Sequence, residues 1–127
     1  MKTRNGLLWM LVGAGALSSC KEDCKTIYSD GVNRVSSGQT LCFSLKENQT
    51  TPYLWKYYIS DNALVELLHD KYEVDKHSRG NTGAGGTHSF YFKALAPGEC
   101  SIEMRHEQGG QKDDFVEKKS FNIIVEE

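Results

Sequence analysis

The sequence predicts an all-β fold, a single-domain antiparallel β-sandwich. Three observations predict it. Short runs in which apolar and polar residues alternate recur from Lys25 to Val125, the period of half-buried strands. Clusters of Gly, Pro, Ser, Asn and Asp separate these runs, as turns separate the strands of a sandwich. Trp55 stands in the middle of an aromatic strand, the natural place for the core aromatic of such a fold. Six or seven strands are expected on these grounds, with no internal repeat and no low-complexity tract.

Residues 25–28 open the domain as an edge strand. Ser29-Asp30-Gly31 and Ser36-Ser37-Gly38 are turns. Residues 40–45 form a strand with Leu41, Phe43 and Leu45 inward, and 46–52 a polar loop. Residues 53–59 alternate again, with Tyr53, Trp55, Tyr57 and Ile59 on one face. Residues 61–68 allow two readings. Leu64, Leu67 and Leu68 have helical spacing behind a capping Asp61, and a connection with a short strand fits as well. A short strand at 72–75 precedes a long Gly-rich loop at 76–87. The next strand, 88–95, sets His88, Phe90, Phe92 and Ala94 against Ser89, Tyr91 and Lys93. Pro97-Gly98 turns the chain into a strand with Cys100, Ile102, Met104 and His106 inward. A second long polar loop spans 107–114, and Phe121, Ile123 and Val125 mark the last strand.

The first twenty residues read as an export signal. Lys2 and Arg4 form its charged start, and the apolar core from Leu7 to Leu17 is shorter than the ~20 residues a bilayer span needs. Leu17-Ser18-Ser19-Cys20 has the pattern of a bacterial lipobox, which makes residues 1–19 a leader, Cys20 the lipidation site and 20–25 a tether to the domain at 26–127. The alternative is an ordinary cleaved signal that contains a cysteine. Lys21-Glu22-Asp23 reads as a surface-export tag or as a solvated tether. The expected location is the bacterial envelope, with a palmitate-class anchor in the outer membrane; the multiple chains of an acyl-cysteine hold stably without a transmembrane helix.

Without residues 1–19 the chain keeps 13 basic and 17 acidic residues, a net of −4. That charge, and the lack of a basic patch interleaved with aromatics, argue against nucleic acid as a partner. Once Cys20 is lipidated, Cys24, Cys42 and Cys100 allow one internal disulfide in an oxidising compartment. All three pairings stay open. Cys42 is out of phase with Leu41 and Phe43 and points outward, whereas Cys100 points inward, which argues mildly against joining those two.

His69, His77, His88 and His106 are scattered without ligand spacing, so no metal is expected. Cys42 sits mid-strand, with no local base to activate it. Asp113-Asp114 and Glu126-Glu127 are solvated charge runs. No catalytic residue and no cofactor are assigned. The segment Thr82-Gly83-Ala84-Gly85-Gly86-Thr87 frees its backbone from side chains. It is no phosphate loop, because it lacks the following Lys-Ser/Thr and leads into a strand. Taken alone it reads as a flexible hairpin.

Three segments together suggest more. Asn48-Gln49-Thr50-Thr51 precedes the Trp55 strand, the glycine segment precedes Phe90 and Phe92, and Ala96-Pro97-Gly98 leads into a strand ending in a long polar loop. In this order the chain resembles the chagasin family of cysteine-protease inhibitors over residues 30–125. That family carries an Asn-Pro-Thr-Thr-Gly loop, a Gly-x-Gly-Gly loop and an Arg-Pro-Trp loop at one end of an immunoglobulin-like sandwich. Gly83, Gly85 and Gly86 match the second motif in full. Asn48, Thr50 and Thr51 match the first, with Gln49 in place of Pro and Pro52 in place of Gly. Gln108-Gly109-Gly110 stand where Arg-Pro-Trp would fall, and Phe115 is either a substitute aromatic or a core residue of the last strand.

The resemblance implies a monomeric, reversible inhibitor of papain-type cysteine proteases. Asn48, Gln49, Thr50, Thr51 and Pro52 would enter the cleft, and Gly83, Ala84, Gly85, Gly86 and Thr87 would line its rim. Gln108, Gly109 and Gly110 would face the opposite rim. Asn48 would brace its own loop, and Thr50 and Thr51, stiff at χ1, would pre-organise it. The alternative is a surface β-sandwich lipoprotein that binds glycan or a partner protein, which would need Tyr53, Tyr57, Tyr58 and Tyr91 on one flat face.

Overall fold

Phe43 stacks on Phe121 with ring centroids 4.1 Å apart, and the two residues come from different sheets. A computed structural model describes residues 23–75, 85–109 and 114–127. Among these residues the chain is all strand and connection: β1 (Lys25–Thr26), β2 (Val32–Ser36), β3 (Thr40–Glu47), β4 (Tyr53–Ile59), β5 (Val65–Val74), β6 (Gly86–Ala94), β7 (Gly98–Gln108) and β8 (Phe115–Glu126). One sheet has the order β1-β3-β6-β5 and the other β2-β8-β7-β4. Most neighbours run antiparallel. The exceptions are β1 on β3 and β2 on β8, which pair parallel at the sheet edges.

Alternation decides which side chains meet between the layers. Leu41, Phe43 and Leu45 of β3, Phe90, Phe92 and Ala94 of β6, Cys100, Ile102 and Met104 of β7, and Phe121, Ile123 and Val125 of β8 are all buried, as their phase predicts. Fully burying one such Leu, Ile or Phe contributes roughly 1.5–3 kcal/mol, so these strands carry the fold. Trp55 lies at one end of this core and stacks on His106 at 4.8 Å.

Several elements differ from the sequence expectation. Among the described residues eight strands form rather than six or seven. β2 was not visible as a strand, because only Val35 of its five residues is buried and Val32 is 58% exposed. Residues 61–68 hold a turn followed by the start of a long strand. Asp61 caps that turn, its Oδ1 accepting from Ala63 N at 2.9 Å and its carbonyl from Leu64 N at 3.1 Å. The strand at 72–75 is the tail of the ten-residue β5, whose register shifts between Leu67 and His69. Ladder pairing extends β3 to Glu47, begins β6 at Gly86 and carries β7 to Gln108, so each predicted loop is shorter at its base. Tyr57 is expected inward yet is 41% exposed. It lies on the edge strand β4, with its ring edge-on to Phe92.

The disulfide joins Cys24 to Cys42, with Cα atoms 5.9 Å apart. β1 runs beside β3 with Thr26 opposite Cys42, and this pairing brings Cys24 within reach. Cys100 is buried and free. The leader, Cys20 and most of the tether (1–22) lie outside the described residues, as do His77, Gly83, Ala84 and Gly110.

Candidate functional site

Three connections share one end of the sandwich. Glu47, the last residue of β3, pairs with Gly86, the first of β6. Tyr53, the first of β4, pairs with Gln108, the last of β7. Gly109 N donates to the Pro52 carbonyl at 3.2 Å, Gln108 N to Asp114 O at 3.0 Å and Asp75 N to Gly85 O at 3.1 Å. Asn48, Gln49, Thr50, Thr51 and Pro52 therefore stand near Gly85, Gly86 and Thr87 on one side and Gln108 and Gly109 on the other. Gly86 and Thr87 are strand residues; Gly86 pairs with Glu47 and with Val74.

The first connection is braced by its own polar groups. Asn48 Oδ1 accepts from Thr50 N at 3.0 Å and from Thr50 Oγ1 at 2.6 Å. The Asn48 carbonyl accepts from Thr51 N at 3.1 Å and from Thr51 Oγ1 at 2.9 Å. Four bonds on one asparagine make an Asx turn closed on a β-turn. Thr50, Thr51 and Pro52 stay exposed. The second connection is knitted at its base, where Lys46 Nζ lies 3.1 Å from Asp75 Oδ2 and Thr87 Oγ1 donates to Asp75 Oδ1 at 3.3 Å.

Beneath the first connection lies a buried polar network. The Glu47 side chain has no exposure and that of His88 has 10%. Glu47 Oε1 accepts from Trp55 N at 2.9 Å and lies 3.0 Å from His88 Nδ1. Glu47 Oε2 accepts from Gln49 Nε2 at 2.6 Å. On its other side, His88 Nε2 is 2.5 Å from Asp70 Oδ2. Tyr72 Oη donates to the Glu47 carbonyl at 3.1 Å, and Trp55 Nε1 to the Lys46 carbonyl at 2.8 Å. A buried carboxylate needs partners of this kind to offset its lost hydration. A cleft of about 190 Å³, lined by Gln49, Trp55, Asp70 and His88, opens over the network.

The third connection rests on a second buried acid. Glu107 is 2% exposed and accepts from Tyr58 Oη at 2.7 Å. Burial, together with this bond, pushes the Tyr58 phenol up to about 12. The Arg105 guanidinium lies 5.3 Å from the Tyr58 ring centroid and 5.1 Å from that of Phe115, in cation–π geometry. Phe115 is 38% exposed and is not a core residue.

Sequence reasoning assigned no role to Glu47, Asp70 or Glu107. One signal was present: Glu47 continues the inward phase of Leu41, Phe43 and Leu45, and His88 that of Phe90 and Phe92. An acid and a histidine at inward positions of two strands mark a buried polar pair. The tyrosines do not share a face. Tyr57 leans on Phe92 of the opposite sheet, Tyr58 lies against Arg105, and Tyr91 stacks on His69 in the other sheet. Among the described residues no cluster of His, Cys, Asp and Glu is arranged to hold a metal.

Comparison with known proteins bears on family and fold. The model of the family described as Chagasin family peptidase inhibitor I42 matches residues 34–125. The cysteine protease inhibitor EhICP2 from Entamoeba histolytica is similar in structure, with a TM-score of 0.66 and 17% identity over 75% of this chain and 86% of that one. Amebosin gives 0.61 and 18% over 82% and 97%. PbICP-C, solved in complex with falcipain-2, gives 0.55 and 15% over 85% and 93%. At these identities the structural likeness is one of fold. No curated protein matches the chain by sequence.

Proposed function

The chain belongs to the chagasin family of peptidase inhibitors, and on that premise we propose that it inhibits papain-type cysteine proteases reversibly, as a monomer. The family consists of inhibitors, so the chain is assigned no catalysis. The observation that carries the reading is the meeting of three connections at one end of the sandwich, anchored by Glu47 on Gly86 and by Tyr53 on Gln108. The complex of PbICP-C with falcipain-2 supports it.

Asn48–Pro52 would enter the cleft toward the reactive cysteine, with Gly83–Thr87 and Gln108–Gly110 on the two rims. No scissile bond needs to be offered. A loop already closed by four bonds on Asn48 loses little freedom on binding, which favours affinity. Glycines let backbone groups approach a rim without side-chain clashes. Titration of the full chain against papain and a cathepsin L-type protease tests the reading. Inhibition at micromolar concentration or below is expected, and no inhibition of either enzyme overturns it.

An anchor at Cys20 is part of the proposal and rests on Leu17-Ser18-Ser19-Cys20. It would place the inhibitor on the bacterial envelope, in the outer membrane. Radiolabelled palmitate incorporation should be lost in Cys20→Ser, and incorporation that persists refutes the anchor.

A further inference from the structure

We propose that Glu47 is the positioning residue of the first connection, its buried carboxylate holding Asn48–Pro52 in the shape offered to a protease. The inference rests on the reading of that connection as protease-facing, and it adds a residue that touches no protease itself.

Both ends of the connection meet on this one side chain. Oε2 takes Gln49 Nε2, inside the connection, at 2.6 Å, and Oε1 takes Trp55 N, just past its exit, at 2.9 Å. β4 is an edge strand, and Trp55 N points away from β7, so it has no neighbouring strand to bond. The carboxylate supplies the missing acceptor. Without it a buried donor would be left unsatisfied, which is costly.

His88 holds the carboxylate in turn. Its Nδ1 lies 3.0 Å from Glu47 Oε1 and its Nε2 2.5 Å from Asp70 Oδ2, so the ring joins the two acidic side chains. The Glu47 side chain has no contact with water, so every protein partner it has offsets lost hydration. The charged and titratable groups here come from β3 (Glu47), β5 (Asp70 and Tyr72) and β6 (His88). The network thus draws on three strands to fix one connection. Its ring faces are covered as well, since His88 stacks on Phe90 at 4.2 Å and meets the edge of Tyr72 at 6.0 Å.

Two readouts on the full chain test the proposal: papain inhibition, and NMR order parameters of the Gln49, Thr50 and Thr51 amides. Glu47→Leu should lower those order parameters and raise the inhibition constant at least tenfold, with β6 and β7 amides still protected from exchange. Glu47→Gln keeps an oxygen for Trp55 N and His88, and with the Gln49 amide turned so that its oxygen accepts from the new NH2 it should recover most of both. If Glu47→Leu does not fold, Gln49→Met removes only the link inside the connection and should loosen Thr50 and Thr51 without moving the melting temperature. Unchanged order parameters in a folded Glu47→Leu, or in Gln49→Met where that is the variant read, overturn the proposal. Wild-type protein that fails to inhibit papain while its order parameters respond as stated refutes the inhibitor reading and leaves the positioning role standing.

Discussion

Trp55 is tied to Lys46 across the mouth of the first connection: the indole Nε1 donates to the Lys46 carbonyl at 2.8 Å. Its ring covers one end of the core while its polar edge closes the connection. Trp55→Phe removes the donor and part of the buried ring. A loss of about 2 kcal/mol is expected, read from urea unfolding followed by circular dichroism. A loss below about 0.5 kcal/mol, the lower end for one hydrogen bond, would show that the link adds nothing.

Adjacent glycines should respond in opposite ways. A Cβ on Gly85 would meet nothing within 4 Å, whereas one on Gly86 would run into the Glu73 carbonyl and the Tyr72 hydroxyl. Gly85→Trp is expected to keep the melting temperature and weaken papain inhibition at least tenfold. Gly86→Ala should destabilise by about 1–3 kcal/mol through overpacking. Equal melting losses in both would refute the division.

The third connection offers a gain. By the motif resemblance, Gln108 and Gly110 would fall where the family places Arg and Trp, the residue types that dominate interface energetics. Gln108→Arg combined with Gly110→Trp should tighten inhibition of papain about tenfold. Gly109 is best left alone, because its N–H donates to Pro52 O and proline would remove it. An unchanged inhibition constant would mean that this connection does not reach the enzyme.

The cysteines differ in reactivity. Reducing Cys24–Cys42, which are 18 residues apart, frees loop entropy worth about 3 kcal/mol in the unfolded chain, and the melting temperature should fall accordingly. Burial pushes the Cys100 thiol up, with Asp61 adding to the effect. Cys100 should therefore resist Ellman's reagent at pH 8 in the native protein and react once urea unfolds it. Rapid native reaction would contradict its burial.

Tyr58 sets a limit at high pH. Its folded pKa is raised from 10.0 to about 12 by burial and then by the bond to Glu107. The neutral phenol is the favoured form, so its stabilisation is complete below pH 10 and is lost as pH rises toward 12. Absorbance at 295 nm should show one of six tyrosines ionising late, and Tyr58→Phe should remove that phase. Persistence of the late phase in the variant would assign it elsewhere.

The sandwich was legible wherever burial alternates. β3, β6, β7 and the inner half of β8 bury every second residue, and that pattern survives in the sequence. β2 buries one side chain and β5 changes register at Leu67/His69, so neither shows a sustained period. The three connections could be placed from their turn residues, and the Asn48 bracing is local enough to be anticipated. The inward phase of Glu47 marks its burial, but its role could not be assigned, because Trp55 and His88 lie on β4 and β6, up to 41 positions away. A charged residue beside Asn48 reads as the start of a polar loop until the ladder sets it opposite Gly86, with His88 its diagonal neighbour two residues on.

β1 runs parallel to β3, so the chain reaches Cys24 at the pole opposite the three connections. The ladder it then forms is two residues long and would shear easily. The Cys24–Cys42 bond bypasses it. A pulling force applied on the N-terminal side passes through sulfur directly into a central strand of the sheet, and the load reaches the body of the domain before any hydrogen bond must bear it.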